Sequence, residues 1–235
     1  MNVAVRPGWG LPHLVLAGLT AAVVASSPLG VLHNLSQLPM PFASAPIEGD
    51  LGKTPEVPVA PPFVFPAKDA VDLEQATRCL GQAVYYEAGF QPVEGKRAVA
   101  QVILNRVRDR NFPSTVCGVV YEGWQRRTGC QFSFVCDGSL HRRPPSADEL
   151  QSAEKIALDA LNGYVMAAVG TATHYHTWKI DPYWNDTLVK TAQIGDHIFY
   201  RWPGKAGRPQ ALNDEHYDGD ELRAARHAPK QALLG

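Results

Sequence analysis

The chain has 235 residues, of which 45% are apolar, and its formal net charge is −1. That length provides for one sizeable domain with flanking segments, and the apolar share suits a packed core. A near-neutral charge gives no electrostatic basis for binding nucleic acid, so we expect no nucleic-acid partner.

Residues 1–38 are typical of a signal peptide or an anchor. Arg6 precedes an apolar run over residues 14–25, and small residues before Ser26 suit a cleavage site. The run is shorter than the roughly 20 residues of a spanning helix, which favours a cleaved signal. Residues 29–38 stay fairly apolar, so a membrane tether through this segment remains open. We expect an exported protein of the periplasm or cell envelope.

Composition divides the rest of the chain into three parts. Prolines recur through residues 39–70 and predict an extended linker. A folded domain is expected over residues 71–202. Residues 203–235 are polar and aperiodic, which predicts a mobile C-terminal tail.

The four cysteines favour disulfide bonds, because their number is even and the chain is expected to be exported. Four cysteines allow three pairings. We favour Cys130–Cys136, which closes a short loop, with Cys79–Cys117, which ties two helical segments. A zinc site is less favoured because the chain has no C-x₂-C pair.

Apolar spacing predicts three helices. The first has Asp72 as N-cap and Gln75 in the capping-box position, and the second covers residues 93–108. The third begins at Ser146, with Glu149 completing a capping box, and ends near Gly163. A short helical piece is expected over residues 113–120, and a loop with a short strand over residues 122–145.

Two segments have the aromatic and β-branched character of strands, residues 171–178 and 197–202. Together with the helices they predict an α+β fold, a mainly helical domain with a small antiparallel strand pair.

Glu87 continues the apolar stripe of the first predicted helix. A carboxylate on a buried face must be paired, or neutral with a raised pKa. A carboxylic acid that stays protonated near neutral pH can cleave a glycosidic bond by general-acid catalysis. The alternative is a structural glutamate bonded to a backbone group, to Arg97 or to Arg106.

Aromatic residues near Glu87 and further along the chain could line a sugar-binding groove. Most of them are expected in the core. Tyr86 is kept as a groove candidate beside the acid, and Tyr183 and Trp184 are kept because they lie in a predicted loop.

A competing pattern is formed by histidines. His174 and His176 share one face of a predicted strand. With His197 they could hold a catalytic zinc, and Glu87 would then be the general base of an amidase or peptidase. No H-E-x-x-H motif is present, so we expect neither a metal nor another cofactor. His176 is interpreted instead as a polar lining residue.

Five blocks, in order, resemble the SleB-like (spore-cortex-lytic) cell-wall hydrolase family. They are CLGQAVYYEA from residue 79, GKRAVAQVILNRV from residue 95, CQFSF from residue 130, ATHYH from residue 172 and IGDHIFYR from residue 194. The resemblance implies a lysozyme-like catalytic domain over residues 71–202. Its expected partner is the glycan strand of peptidoglycan, cut between N-acetylmuramic acid and N-acetylglucosamine.

Members of this family look like lytic transglycosylases, which need one catalytic carboxylate. The family's glutamate corresponds to Glu87, which acts as acid and then as base while the muramic 6-hydroxyl closes on its own ring. The chain offers no second carboxylate of equal quality, as a two-carboxylate glycosidase would require. A non-catalytic wall-binding module is a third hypothesis beside the glycosidase and the zinc enzyme.

The chain departs from the family beside the acid. The family often continues Glu-Ala-Arg-Gly-Glu-Pro, whereas Gly89, Phe90 and Gln91 occupy the three places before Pro92 here. We therefore do not expect the family's substrate contacts at these positions to carry over, whereas the acid itself is unaffected. Motif position predicts Gln131, Ser133 and His176 as polar groove residues.

Overall fold

The computed structural model describes residues 56–126, 129–226, 228 and 229. The signal or anchor predicted over residues 1–38 lies outside the described residues, as does the linker up to residue 55. Within the described ranges, no helix has both the length and the apolar character needed to cross a membrane.

Helix α1 (Ala70–Ala88) is the helix predicted from the first apolar stripe, and it carries Glu87 in its last turn. Its apolar stripe is fully buried at Ala76, Leu80, Ala83 and Val84. The N-cap is Asp69, whose side chain accepts the Asp72 N–H. The prediction of Asp72 as N-cap is wrong, because the Asp72 carboxylate binds distant groups near the end of the chain.

Five further helices follow, and most of them pack around α1. They are α2 (Val93–Val107), α3 (Val116–Val120), α4 (Ser139–Arg142), α5 (Ala147–Leu161) and α6 (Glu221–Arg226). Helices α2, α3, α5 and α6 all contact α1. The capping box of Ser146 and Glu149 is present at the start of α5, as the sequence predicts.

The described part of residues 122–145, where a loop with a short strand was predicted, contains two short helical pieces and no strand. A 3-10 turn spans Ser133–Val135, and α4 follows it. Backbone N–H groups of Val135 and Cys136 donate to Phe132 and Ser133, so this segment satisfies its own hydrogen bonds without a strand partner.

A three-stranded antiparallel sheet lies beside the helices. Its strands are β1 (His174–Thr177), β2 (Val189–Ile194) and β3 (His197–Arg201), in the order β1-β3-β2. The predicted pairing of β1 with β3 is confirmed, with Tyr175 opposite Phe199. Strand β2 was not predicted. The fold class, a mainly helical α+β domain with a small antiparallel sheet, is confirmed.

Both favoured disulfides are present. Cys79–Cys117 joins α1 to α3 with 5.2 Å between the Cα atoms. Cys130–Cys136 closes the loop before α4, with a Cα separation of 6.2 Å.

The prediction of a mobile C-terminal tail is wrong for residues 203–226. Tyr217 is buried against Phe63 and Phe65, two residues of the predicted linker. Glu221 is 0% exposed and accepts the N–H groups of Val116 and Cys117 at the start of α3. One aromatic ring and one carboxylate make these long-range contacts, and neither belongs to a periodic apolar stripe, so spacing does not reveal them.

Candidate active site

Glu87 lies in an open cavity of about 290 Å³ between the end of α1 and the sheet. The cavity lies beside the last turn of α1, and strands β1 and β3, the CQFSF loop and the segment after β1 contribute its other walls. Its lining residues are Glu87, Arg106, Gln131, Phe132, Ser133, Tyr175, His176, Thr177, Ile180, Pro182, Trp184 and His197.

The Glu87 carboxyl group is biased toward its protonated form. Burial raises its pKa above the ordinary value, and the negative charge of Asp137 acts in the same direction. A hydrogen bond from Tyr175 and the charge of Arg106 act in the opposite direction but do not cancel the rise. The group is therefore suited to donate a proton.

Tyr175 fixes the orientation of the acid. Its hydroxyl group donates to Oε2 of Glu87 at 3.0 Å. Because Oε2 is the acceptor in this bond, the transferable proton belongs on Oε1. Tyr175 is on β1 and Glu87 on α1, so the sheet positions the acid as well as the helix.

Arg106 adds a positive charge to the same cavity. It comes from the last turn of α2, and its Nε donates to the Thr173 carbonyl at 2.6 Å. This holds the start of β1 against α2.

The alternative that Glu87 is a structural residue bonded to Arg97 or Arg106 is not what the structure shows. Arg97 bonds Tyr164 instead, and Arg106 bonds Thr173.

The three histidines do not converge on a metal site. His174 and His176 lie on one face of the sheet, whereas His197 is opposite Thr177 and therefore lies on the Tyr175 face. Both ring nitrogens of His176 are used, Nδ1 with the Thr177 carbonyl and Nε2 with the Tyr200 hydroxyl. Among the described residues, no group of three His, Cys, Asp or Glu side chains could hold a metal. This geometry counts against the predicted zinc alternative.

Most of the predicted site residues lie together in the cavity. Gln131, Ser133, His176 and Trp184 line it with Glu87. Tyr86 does not: its ring stacks on Phe134, with 4.7 Å between centroids. Tyr183 is 97% exposed and is outside the lining.

The sequence does not reveal the roles of Arg106, Tyr175 and His197 in the cavity. The signal that could identify Tyr175 is the period of two along β1. That period places it on the face opposite the neighbouring histidines. Arg106 was named only as an alternative partner of Glu87, and contacts with distant segments bring it to the site.

The fold and the cavity define a class of protein. A carboxylic acid with a raised pKa, in an open cavity with a Trp and a Phe in its wall and polar groups from a loop, is the arrangement of a glycosidase acid catalyst.

Comparison with known proteins gives the family. The family described as Cell Wall Hydrolase matches residues 90–200. The spore cortex-lytic enzyme of Bacillus subtilis strain 168 is 35% identical over 123 residues, which are 52% of this chain and 36% of that enzyme. The enzyme of the same name from Oceanobacillus iheyensis is 35% identical over 151 residues, or 64% of this chain and 47% of the relative. The chain thus spans less than half the length of these curated relatives.

A solved structure is also similar. The catalytic domain of the germination-specific lytic transglycosylase SleB from Bacillus anthracis is 34% identical, with a TM-score of 0.45, and the match covers 55% of this chain and 95% of that domain. The family match and the curated relatives place the chain with the SleB-like cell-wall hydrolases. The resemblance found in the sequence is confirmed.

Proposed function

We propose that the chain cleaves the glycan strands of peptidoglycan as a lytic transglycosylase, with Glu87 as its single acid and base. The observation that carries the proposal is the Glu87 carboxyl group, half-buried in an open cavity and oriented by Tyr175. Family membership supports the substrate class, since the similar domain from Bacillus anthracis is described as a lytic transglycosylase.

The reaction needs two proton transfers at Glu87. Oε1 first donates its proton to the oxygen that joins muramic C1 to the next glucosamine, the C1–O bond breaks, and a glucosamine hydroxyl leaves. The carboxylate then takes the proton of the muramic 6-hydroxyl while that oxygen bonds to C1. The product is a 1,6-anhydro end, and Glu87 is protonated again.

The remaining lining residues suit a sugar substrate. Trp184 and Phe132 offer apolar faces on which a sugar ring can stack. Gln131 and Ser133 offer polar groups for hydroxyl and acetamido substituents. We assign these four residues to substrate binding. We assign His176 to holding Trp184, because its ring lies 5.6 Å from the indole and its nitrogens are occupied.

The substrate also suggests a location. Peptidoglycan lies outside the cytoplasmic membrane, so an enzyme that cleaves it works in the cell envelope. The predicted signal in residues 1–38 supports export, and the periplasm is the compartment we propose.

Glu87→Gln tests the proposal. The substitution keeps the shape of the side chain and removes the proton donor, so activity on purified sacculi should fall about a thousandfold while the fold is unchanged. Soluble products are measured by mass spectrometry, and folding by circular dichroism. Wild-type activity in a folded Glu87→Gln protein would contradict the assignment of Glu87 as the acid.

The products separate the remaining hypotheses. Anhydro-muropeptides are expected for a transglycosylase, and reducing sugar ends would indicate hydrolysis by the same acid. Free stem peptides would restore the amidase hypothesis. Binding to sacculi without any soluble product would indicate a wall-binding module.

A further inference from the structure

Arg106 is a buried cation with no carboxylate bonded to it. The residue is only 3% exposed, and Nη1 has no hydrogen-bond partner among the described residues. None of the ion pairs found in the described ranges includes it. Such a group is costly, because a buried charge loses its hydration and here recovers one hydrogen bond, to Thr173.

Three aromatic rings replace part of the lost hydration. The rings of Phe112, Phe132 and Tyr175 have their centroids 5.2, 5.4 and 6.0 Å from the guanidinium carbon. Cation–π attraction in such a setting offsets only part of the cost of burying the charge. Holding the Thr173 carbonyl would need only a neutral donor, so the charge itself requires another explanation.

Two carboxylates, Glu122 and Glu87, interact with the charge of Arg106, and of these two it is Glu87 that lines the same cavity. Arg106 lowers the pKa of Glu87, against the larger effect of burial. Attraction between the two groups exists only while Glu87 is ionised. During the reaction, that is the interval after the glycosidic oxygen is protonated and before the 6-hydroxyl gives up its proton.

We propose that Arg106 is a positioning residue that stabilises the Glu87 carboxylate between its two proton transfers. The inference rests on the proposed function, because only a group that first gives and then regains a proton passes through this state. Arg106 keeps all of its own protons throughout. It supplies a fixed charge in the wall of the cavity, and its Nη1 has no hydrogen-bond partner among the described residues.

The other groups around Glu87 do not supply this charge. Tyr175 is a neutral donor, and Asp137 is negative and opposes ionisation of Glu87. His197 lines the cavity, and burial lowers its pKa, so its ring is neutral. His176 already bonds two other groups. Arg106 is therefore the one permanent cation among the lining residues.

The test is a direct titration of Glu87 in the full chain. The side-chain carboxyl carbon is followed by carbon-13 NMR and assigned by its loss in Glu87→Gln. In Arg106→Gln, whose amide still donates to Thr173, the midpoint should move to higher pH. Arg97→Met is the matched control: Arg97 lies on the same helix but contacts Tyr164 and Asp159, and its loss should leave the midpoint in place.

Catalysis gives a second readout. In Arg106→Gln, kcat on sacculi should fall on the order of tenfold or more, and the alkaline limb of the pH profile should follow the titration upward. Should Arg106→Gln fail to fold, Arg106→Met removes the same charge and keeps an unbranched apolar side chain against the aromatic rings. The titration is then done in sucrose, which favours the folded state.

The outcomes separate the two proposals. A Glu87 midpoint that does not move in a folded, charge-free variant overturns the role of Arg106, whatever the activity. If the midpoint moves but the unaltered chain releases nothing from sacculi, the electrostatic coupling is supported and the proposed function is overturned.

Discussion

At the scale of single residues, the site depends on one hydrogen bond between a strand and a helix. Tyr175 and Glu87 are 88 positions apart, and their 3.0 Å contact is the feature that gives the acid a defined proton-bearing oxygen. A carboxyl group without this contact could rotate and share its proton between both oxygens, and fewer of its orientations would be productive.

Tyr175→Phe should weaken catalysis and shift its pH dependence. The bond lowers the pKa of Glu87, so its loss raises that pKa further. Because the protonated form is active, the alkaline limb of kcat/KM should move to higher pH, while kcat falls about tenfold through lost orientation. Tyr164→Phe is the control, because it removes a hydroxyl that accepts from Arg97 outside the cavity. It should change neither the alkaline limb nor kcat. An unshifted limb in the Tyr175 variant would contradict the assigned role of this bond.

At the scale of elements, the end of α1 is tied to the turn between β2 and β3. Gln91 accepts the Asp196 N–H at 3.0 Å and donates to the Asp196 carboxylate at 3.3 Å. Trp178 donates to the other oxygen of the same carboxylate. A neutral amide can accept the N–H and also donate to the carboxylate. This accounts for glutamine at a position where the family often has glutamate.

Gln91→Glu should destabilise the domain most at high pH. The new carboxylate would face Asp196, costing about 1–3 kcal/mol when both groups are ionised. Lowering the pH protonates one of them and restores a donor, so the deficit in unfolding free energy should shrink. Gln193→Glu, on the exposed part of β2, is the control and should cost little. A pH-independent deficit in the Gln91 variant would argue against carboxylate repulsion.

Local signals in the sequence explain which elements were predicted correctly. Helices α1 and α5 carry apolar stripes, and α5 also carries a capping box, so both follow from neighbouring residues. Strand β2 escaped prediction because none of its side chains is fully buried and because Lys190, Thr191 and Gln193 interrupt its apolar character. Glu87 could be found from its place on a stripe. Arg106 and Tyr175 reach it only through tertiary packing, which local spacing does not encode.

At the scale of the whole molecule, the C-terminal segment completes the domain. The Asp72 carboxylate accepts the Tyr217 hydroxyl and the Glu221 N–H, while Glu221 binds the start of α3. These bonds fix the first turns of α1 and α3. Helix α1, which carries Glu87, is thus stabilised by a segment that follows it by more than 140 positions.

Glu221 should make stability depend on pH. Burial, with Asp72 and Asp218 nearby, raises its pKa from 4.5 to about 7 in the folded state. The folded protein therefore binds a proton that the unfolded chain releases between these values, and stability is lost as the pH rises through about 7. The melting temperature should fall between about pH 5 and pH 8, and Glu221→Gln should reduce that slope.

The exposed Glu215 provides the control for this prediction. Glu215→Gln should leave the pH slope of the melting temperature as it is in the unaltered chain. At about pH 5 the Glu221→Gln protein should also be less stable, by roughly 1–3 kcal/mol, because its amide accepts only one of the two N–H groups. Equal slopes in all three proteins would show that Glu221 does not titrate in this range.

The bonds from Asp72 to Tyr217 and Glu221 span 145 and 149 positions. A ribosome adds residues in order, so α1 is made long before the groups that satisfy its first turn exist. Until residue 221 has emerged, Asp72 lacks its bond to Glu221, and the start of α3 lacks the Glu221 carboxylate. A growing chain is therefore expected to hold the first turns of α1 and α3 less firmly until this C-terminal segment has been made.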